Sequence, residues 1–162
     1  MPSWSAVAAE APELAARASG LLTARTHLTL ATLRRDGSPR ISGTEAMLVG
    51  DDLWIGSMVG AVKARDLRRD PRYALHSGSE DPPDWPGDAK VAGRAEEVDD
   101  PERKREVALA SSGGEEAAGE PMHLFRLDVE ELVVVELGGD PPDRLVITSW
   151  HPGRGVERIE RR

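Results

Sequence analysis

The sequence predicts a mainly β protein, with six or seven antiparallel strands closing into a barrel capped by short helices. Three observations predict it. Two-residue alternation of apolar and polar residues recurs in segments of five to ten residues. Turn signals such as Asp36-Gly37 and Gly50-Asp51-Asp52 separate them. Helical patterns are confined to the N-terminus and two short interruptions. At 162 residues the chain suits one domain, predicted over 1–162, with an N-terminal helix within 1–24 and an irregular tail over 151–162.

Ser5 to about Leu22 is rich in Ala, Glu and Leu, and Leu14, Ala18, Leu21 and Leu22 recur at helical spacing, with Pro12 marking a break or late start. "HLTLATL", His27–Leu33, alternates as a strand, and "RRDGSPR" turns it into "RISGTEAMLV", Arg40–Val49. "GDD" turns the chain into "LWIGSM", Leu53–Met58, so three consecutive strands are expected to form a meander. "VGAVKARDLRRD" reads as a short helix stopped by Pro71, and "RYALHS" as a fourth strand. The Pro- and Asp-rich loop Gly78–Asp88 has no regular period. "AKVAGRAEEV" alternates as a fifth strand, and Asp100-Pro101 starts a second short helix, with Asp100 as N-cap. "SSGGEEAAGEP" is expected to be a flexible connection. Met122–Leu137 is too long for one flat strand and changes phase near Glu130 and Glu131, which predicts a bulge or bend. "RLVITSW" is the last predicted strand.

Composition excludes several functions. With no cysteine, disulfides, zinc-thiolate sites and thiol nucleophiles are ruled out. A formal charge of −8 opposes binding to a polyanion, so no nucleic-acid partner is expected. No apolar run approaches the roughly 18 residues of a membrane helix, and no leader pattern opens the chain, so a cytoplasmic protein without a membrane partner is expected. GxGxxG, Walker, HExxH and GxSxG motifs are absent. His76, His123 and His151 share no metal-ligand spacing. Trp54 is expected to pack in a core or interface, whereas Trp150 is equally suited to packing and to covering a ring.

The short helix carries the strongest chemical signal. Lys63 lies in its first turn, where free backbone N–H groups and the positive end of the helix dipole favour an anion. Ser57 ends the preceding strand as a hydroxyl donor, and Arg40 starts a neighbouring strand within reach. The competing reading pairs Lys63 with Asp66 one turn on. Arg68, Arg69 and Arg72 are expected to face water.

The run His27–Ser77, with its strand, "DG.P" hairpin, strand, further strand ending in a small hydroxyl residue and "K...L..(D/N)P" helix, resembles the pyridoxamine 5'-phosphate oxidase-like family of flavin- and deazaflavin-binding split β-barrels. The resemblance covers Thr26–Pro101 well and the remainder loosely. It implies a homodimeric oxidoreductase acting on a small-molecule substrate with FMN or F420 at the dimer interface, and no catalytic side chain. A non-catalytic flavin, F420 or haem binding or storage protein is the alternative. Carried over by position, Arg40, Ile41, Ser42, Gly43, Thr44 and Glu45 would lie against the cofactor ring. Gly56 and Ser57 would meet its phosphate and ribityl chain, Lys63 would hold the phosphate, and a further ring contact would fall near Asp88 or Lys90. Val62 stands where the pyridoxine-phosphate oxidases carry an arginine, and the tail lacks their substrate-binding Arg and His. Both departures point away from pyridoxamine phosphate as substrate.

Overall fold

The computed structural model describes residues 1–162. The N-terminal segment forms α1 (Trp4–Glu10) and α2 (Pro12–Thr23), followed by β1 (Leu28–Leu33), β2 (Pro39–Thr44), β3 (Ala46–Val49) and β4 (Asp52–Met58). Then come α3 (Val62–Arg69), β5 (Arg72–His76), β6 (Asp88–Glu97), α4 (Pro101–Ala110) and α5 (Gly114–Ala118). The long β7 (Met122–Gly138), β8 (Arg144–His151) and β9 (Gly155–Arg161) complete the chain. Pro12 sits in the first turn of α2, where its missing N–H costs no helical bond. It thereby divides the expected single helix into two. Leu14, Ala15, Ala18, Leu21 and Leu22 bury the face of α2 that packs on β6 and β7.

All nine strands join one antiparallel sheet with the order β2-β1-β5-β6-β7-β4-β3, and β8 and β9 branch from β7. The β1–β2 hairpin turns at Gly37, whose φ is 82°. In the β3–β4 hairpin Gly50 and Asp51 have φ of 58° and 66°, the left-handed pair that a two-residue turn requires.

Two expectations fail here for one reason. Arg40–Val49 is not a continuous strand but breaks at Glu45, and its halves lie at opposite ends of the strand order. Thr44 and Met47 are both buried although three residues apart, which strict alternation cannot achieve, so the chain must turn between them. The expected meander is therefore two separate hairpins. The sheet does not close into a barrel, and β2 and β3 remain as edges.

Two further corrections concern weakly patterned segments. The tail expected to be irregular contains β9, which pairs with β8 along its whole length. Six of its seven residues are exposed, so no alternation announced it. Gly153 and Gly155, at φ of 76° and 71°, build the turn that returns it. Within the expected flexible connection lies α5, which buries no side chain. By contrast, Asp100 caps α4 by accepting from the Glu102 N–H, as its position implied.

The main core contains 25 residues, including Trp150, Phe125, Leu30, Leu53 and Leu75, and is roofed by α2 together with Ala64 and Leu67 of α3. On the other face of β4, Met47, Trp54, Val107 and Leu124 form a smaller core under α4. Trp54 packs as expected; its Nε1 donates to the Val49 carbonyl at 3.0 Å and Arg103 covers its ring.

Of the bulge or bend expected near Glu130, the structure has a bulge. Ala92 faces Glu131 while Gly93 faces Val129, so Glu130 is the extra residue. A Cβ added to Gly93 would stand 2.0 Å from the Asp128 carbonyl oxygen, a backbone atom locked in the ladder. Gly93→Ala should accordingly destabilise the fold by about 3 kcal/mol, the upper range for overpacking. Equilibrium denaturation would show this as a lowered midpoint at unchanged slope.

Candidate functional site

The chain leaves β4 through Gly56, Ser57 and Met58, passes Gly60 at φ of 80°, and enters α3 at Val62. No side chain caps this helix, because its N-cap is Ala61. The Ala64 N–H donates to the Ala61 carbonyl, which leaves the Val62 and Lys63 N–H groups open to an external acceptor. The loop is held from outside by His123, which the sequence brought forward only as a histidine without metal-ligand spacing. The Gly60 N–H donates to His123 Nε2 at 3.3 Å, while His123 Nδ1 lies 2.9 Å from Glu97 Oε1. A neutral imidazole with its proton on Nδ1 satisfies both contacts. Arg68 forks onto the same Glu97, with Nη2 at 2.6 Å from Oε1. No spacing in the sequence links residues 60, 68, 97 and 123; only the β4–β7 and β6–β7 pairings bring them together.

Beneath α3 lies Asp66, whose residue is 2% exposed. Its carboxylate accepts from Thr32 Oγ1 at 2.9 Å, Arg40 Nε at 2.7 Å and Arg69 Nη2 at 2.9 Å. Burial alone would raise its pKa, but the hydrogen bonds from Arg69, Arg40 and Thr32 prevail and hold it below the ordinary carboxylate value. The alternative pairing of Asp66 with Lys63 does not occur. Arg69 is exposed as expected, although its guanidinium also donates to the Leu33 carbonyl. Arg68 and Arg72 are exposed but paired, with Glu97 and Asp70.

Lys63 Nζ instead donates to the Gly43 carbonyl at 2.7 Å. Burial lowers its pKa, and no carboxylate offsets that effect. A cation in this state is available to an anion. It lines a cavity of about 360 Å³ together with Arg34, Arg40, Ile41, Ser42 and Val62. The Ser42 Oγ is buried there without a hydrogen-bond partner. Beside them a Cβ on Gly43 would meet nothing within 4 Å, so this strand is open to close approach.

Ser57 belongs to a different cavity. It lines a space of about 540 Å³ with Glu45, Gly56 and residues of α4, α5 and the start of β7, and its Oγ is also buried without a partner. The sequence-predicted residues thus divide. Arg40, Ile41, Ser42 and Lys63 surround the first cavity, and Glu45, Gly56 and Ser57 the second. Gly43 joins the first through its bond to Lys63, whereas Thr44 is buried and lines neither. Lys90 lines neither; it is exposed on β6, opposite His76 and Val133. Asp88 accepts from Trp85 Nε1 at 3.1 Å. Trp150 is fully buried, with Nε1 donating to Glu10, and so acts in the core rather than over a ring.

Comparison with known proteins fits this arrangement. The family model described as pyridoxamine 5'-phosphate oxidase matches residues 14–136. The chain belongs to the pyridoxamine 5'-phosphate oxidase family. Among solved structures, the conserved hypothetical protein Rv2991 from Mycobacterium tuberculosis matches at 21% identity and a TM-score of 0.64, over 78% of this chain and 92% of its own. A pyridoxamine 5'-phosphate oxidase-related, FMN binding protein from Nostoc punctiforme matches at 17% identity and 0.61, over 93% and 94%. The General Stress Protein 26 from Bacillus anthracis matches at 15% and 0.60, over 79% and 94%. No curated protein matches the chain. The resemblance read from His27–Ser77 is therefore correct at the level of family and fold. No helix is long and apolar enough to cross a membrane.

Because Asp66 ties α3 to two strands of this family fold, Asp66→Asn should cost about 3 kcal/mol, the scale of breaking a buried ion pair. Its folded pKa lies below the ordinary 3.8, so its stabilisation is complete above that value and is lost as pH falls through the lower folded one. Denaturation curves of the two proteins should differ at pH 6 and converge in stronger acid.

Proposed function

We propose that the chain is a flavin- or deazaflavin-dependent oxidoreductase that binds FMN or F420 along β2, with the cofactor phosphate held at Lys63. The observation that carries this reading is the half-buried Lys63 ammonium, uncompensated by any carboxylate, which shares one small cavity with the unpartnered Ser42 hydroxyl. Arg40 and Arg34 add positive charge, and the uncapped α3 terminus adds N–H donors. These groups fit a phosphate. The hydroxyl assigned to the phosphate changes from Ser57 to Ser42, because Ser57 lines the other cavity.

The ring would lie against Arg40–Glu45. Since β2 pairs only with β1, one side of its backbone is open to hydrogen-bond a flat heterocycle, and Gly43 permits close approach. The Nostoc relative is described as FMN binding, and that description supports a flavin here. When bound, the cofactor supplies hydride or electron transfer. The protein's own residues anchor the phosphate, present the β2 edge and keep the ring beside a shaped cavity; no side chain is assigned a catalytic role.

A homodimer belongs to the same reading. Ile41 and Met58 are 75% and 82% exposed, and Val62 is also exposed, all lining the two cavities. A second copy covering them would enclose the cofactor. Light scattering should report a dimer, and Met58→Glu with Ile41→Glu should shift it toward monomer; a wild-type monomer at high concentration would refute this.

Equilibrium titration with FMN and with F420, followed by cofactor fluorescence, tests the reading directly. Lys63→Ala should weaken binding by about 1.5–3 kcal/mol, the scale of a charge-assisted hydrogen bond. Affinity should also fall as alkaline pH deprotonates Lys63, earlier than for an ordinary lysine because burial lowers its pKa. Lys63→Arg should move that fall to higher pH. Unchanged affinity in Lys63→Ala would remove the phosphate assignment, and failure to reduce any acceptor with bound, reduced cofactor would favour storage over turnover.

A further inference from the structure

The Ser57 cavity differs in chemistry from the Lys63 cavity. Met47, Met58 and Met122 line it, and its charged groups are Glu45 and Glu120, with no lysine, arginine or histidine among them. The Lys63 cavity has the opposite balance, with Arg34, Arg40 and Lys63 and no acid. Ser57 is 8% exposed, and its buried Oγ has no protein partner. A buried hydroxyl left unpaired is costly, so its position in a cavity points to a ligand that completes it. Glu45 is fixed in place, accepting from the Ser112 N–H at 2.6 Å and from Ser112 Oγ at 2.7 Å.

We infer that this cavity is a substrate compartment for an aromatic molecule, neutral or cationic, that carries no phosphate or carboxylate and hydrogen-bonds to Ser57. Thioether side chains make favourable contacts with ring edges and adapt to their shape. The two carboxylates repel an anion, and no cation is present to receive one. The two cavities thus sort ligand parts by charge, with phosphate at Lys63 and an uncharged or positive aromatic group at Ser57. Calling this ligand a substrate rests on the cofactor reading above; its binding does not.

Three probes built on one naphthalene ring system test the inference on the purified full-length protein: 2-naphthylmethanol, 2-naphthylmethylamine and 2-naphthyl phosphate, titrated by ligand-observed NMR. The alcohol and the amine should bind at least about tenfold more tightly than the phosphate. Ser57→Ala should weaken the alcohol about threefold to tenfold, the range of a neutral hydrogen bond. Glu120→Gln, at an exposed position that leaves the Glu45–Ser112 contact intact, should narrow the gap between amine and phosphate. Lys63→Ala should leave the naphthalene series unchanged while weakening the cofactor, so the two readings fail separately. Equal or tighter binding of the phosphate, no binding by any probe, or indifference to both Ser57→Ala and Glu120→Gln would overturn the inference.

Discussion

The carboxylate of Asp66 is the point on which the candidate site depends. It is buried on α3 and accepts from one residue of β1, one of β2 and one of its own helix. A carboxylate at that depth is tolerable only because each donor is in place, and two of them are cationic. The same bonds fix the distance between α3 and the edge strand β2. Lys63 then falls over the Gly43 carbonyl, and Arg40 is turned toward the cavity it shares with Lys63.

The second constraint is the break at Glu45. By ending β2 and starting β3 at the opposite end of the strand order, it leaves β2 as an open edge. An open edge is ordinarily a liability for aggregation. Here the exposed row lies beside a positive cavity and a glycine without a neighbour, the surroundings on which the proposed cofactor site rests. The break also swings Glu45 away from Lys63 to the far cavity, where Ser112 holds it. One turn of the chain therefore separates positive from negative surroundings along a strand six residues long.

Most elements were legible because their patterns are local. Alternation in Leu28–Leu33 and Asp88–Glu97, the turn chemistry of Gly37 and Gly50, the proline at the start of α2 and the Asp100 cap each depend on a few adjacent residues. The phase shift near Glu130 was legible for the same reason. What escaped was β9, which presents almost no buried face, and the break at Glu45, where the continuous "RISGTEAMLV" alternates well enough to pass as one strand. Lys63 stood out by its place in a helix first turn. Ser42 did not stand apart from its neighbours, since nothing in a short polar stretch shows which hydroxyl will be left without a partner.

The sequence by itself determined the strand-rich class, the family, and the candidate anion contact at Lys63, because periodicity, turn residues and motif order are properties of neighbouring positions. Tertiary structure alone decided that Ser42 rather than Ser57 shares a cavity with Lys63 and that Asp66 binds Arg40 instead of Lys63. It also decided that His123 holds the loop before α3, and that Lys90 lies apart. Each of these depends on strand order and register, which bring together residues 20 to 63 positions apart. Burial then selects which polar groups find partners, and no local pattern encodes that choice.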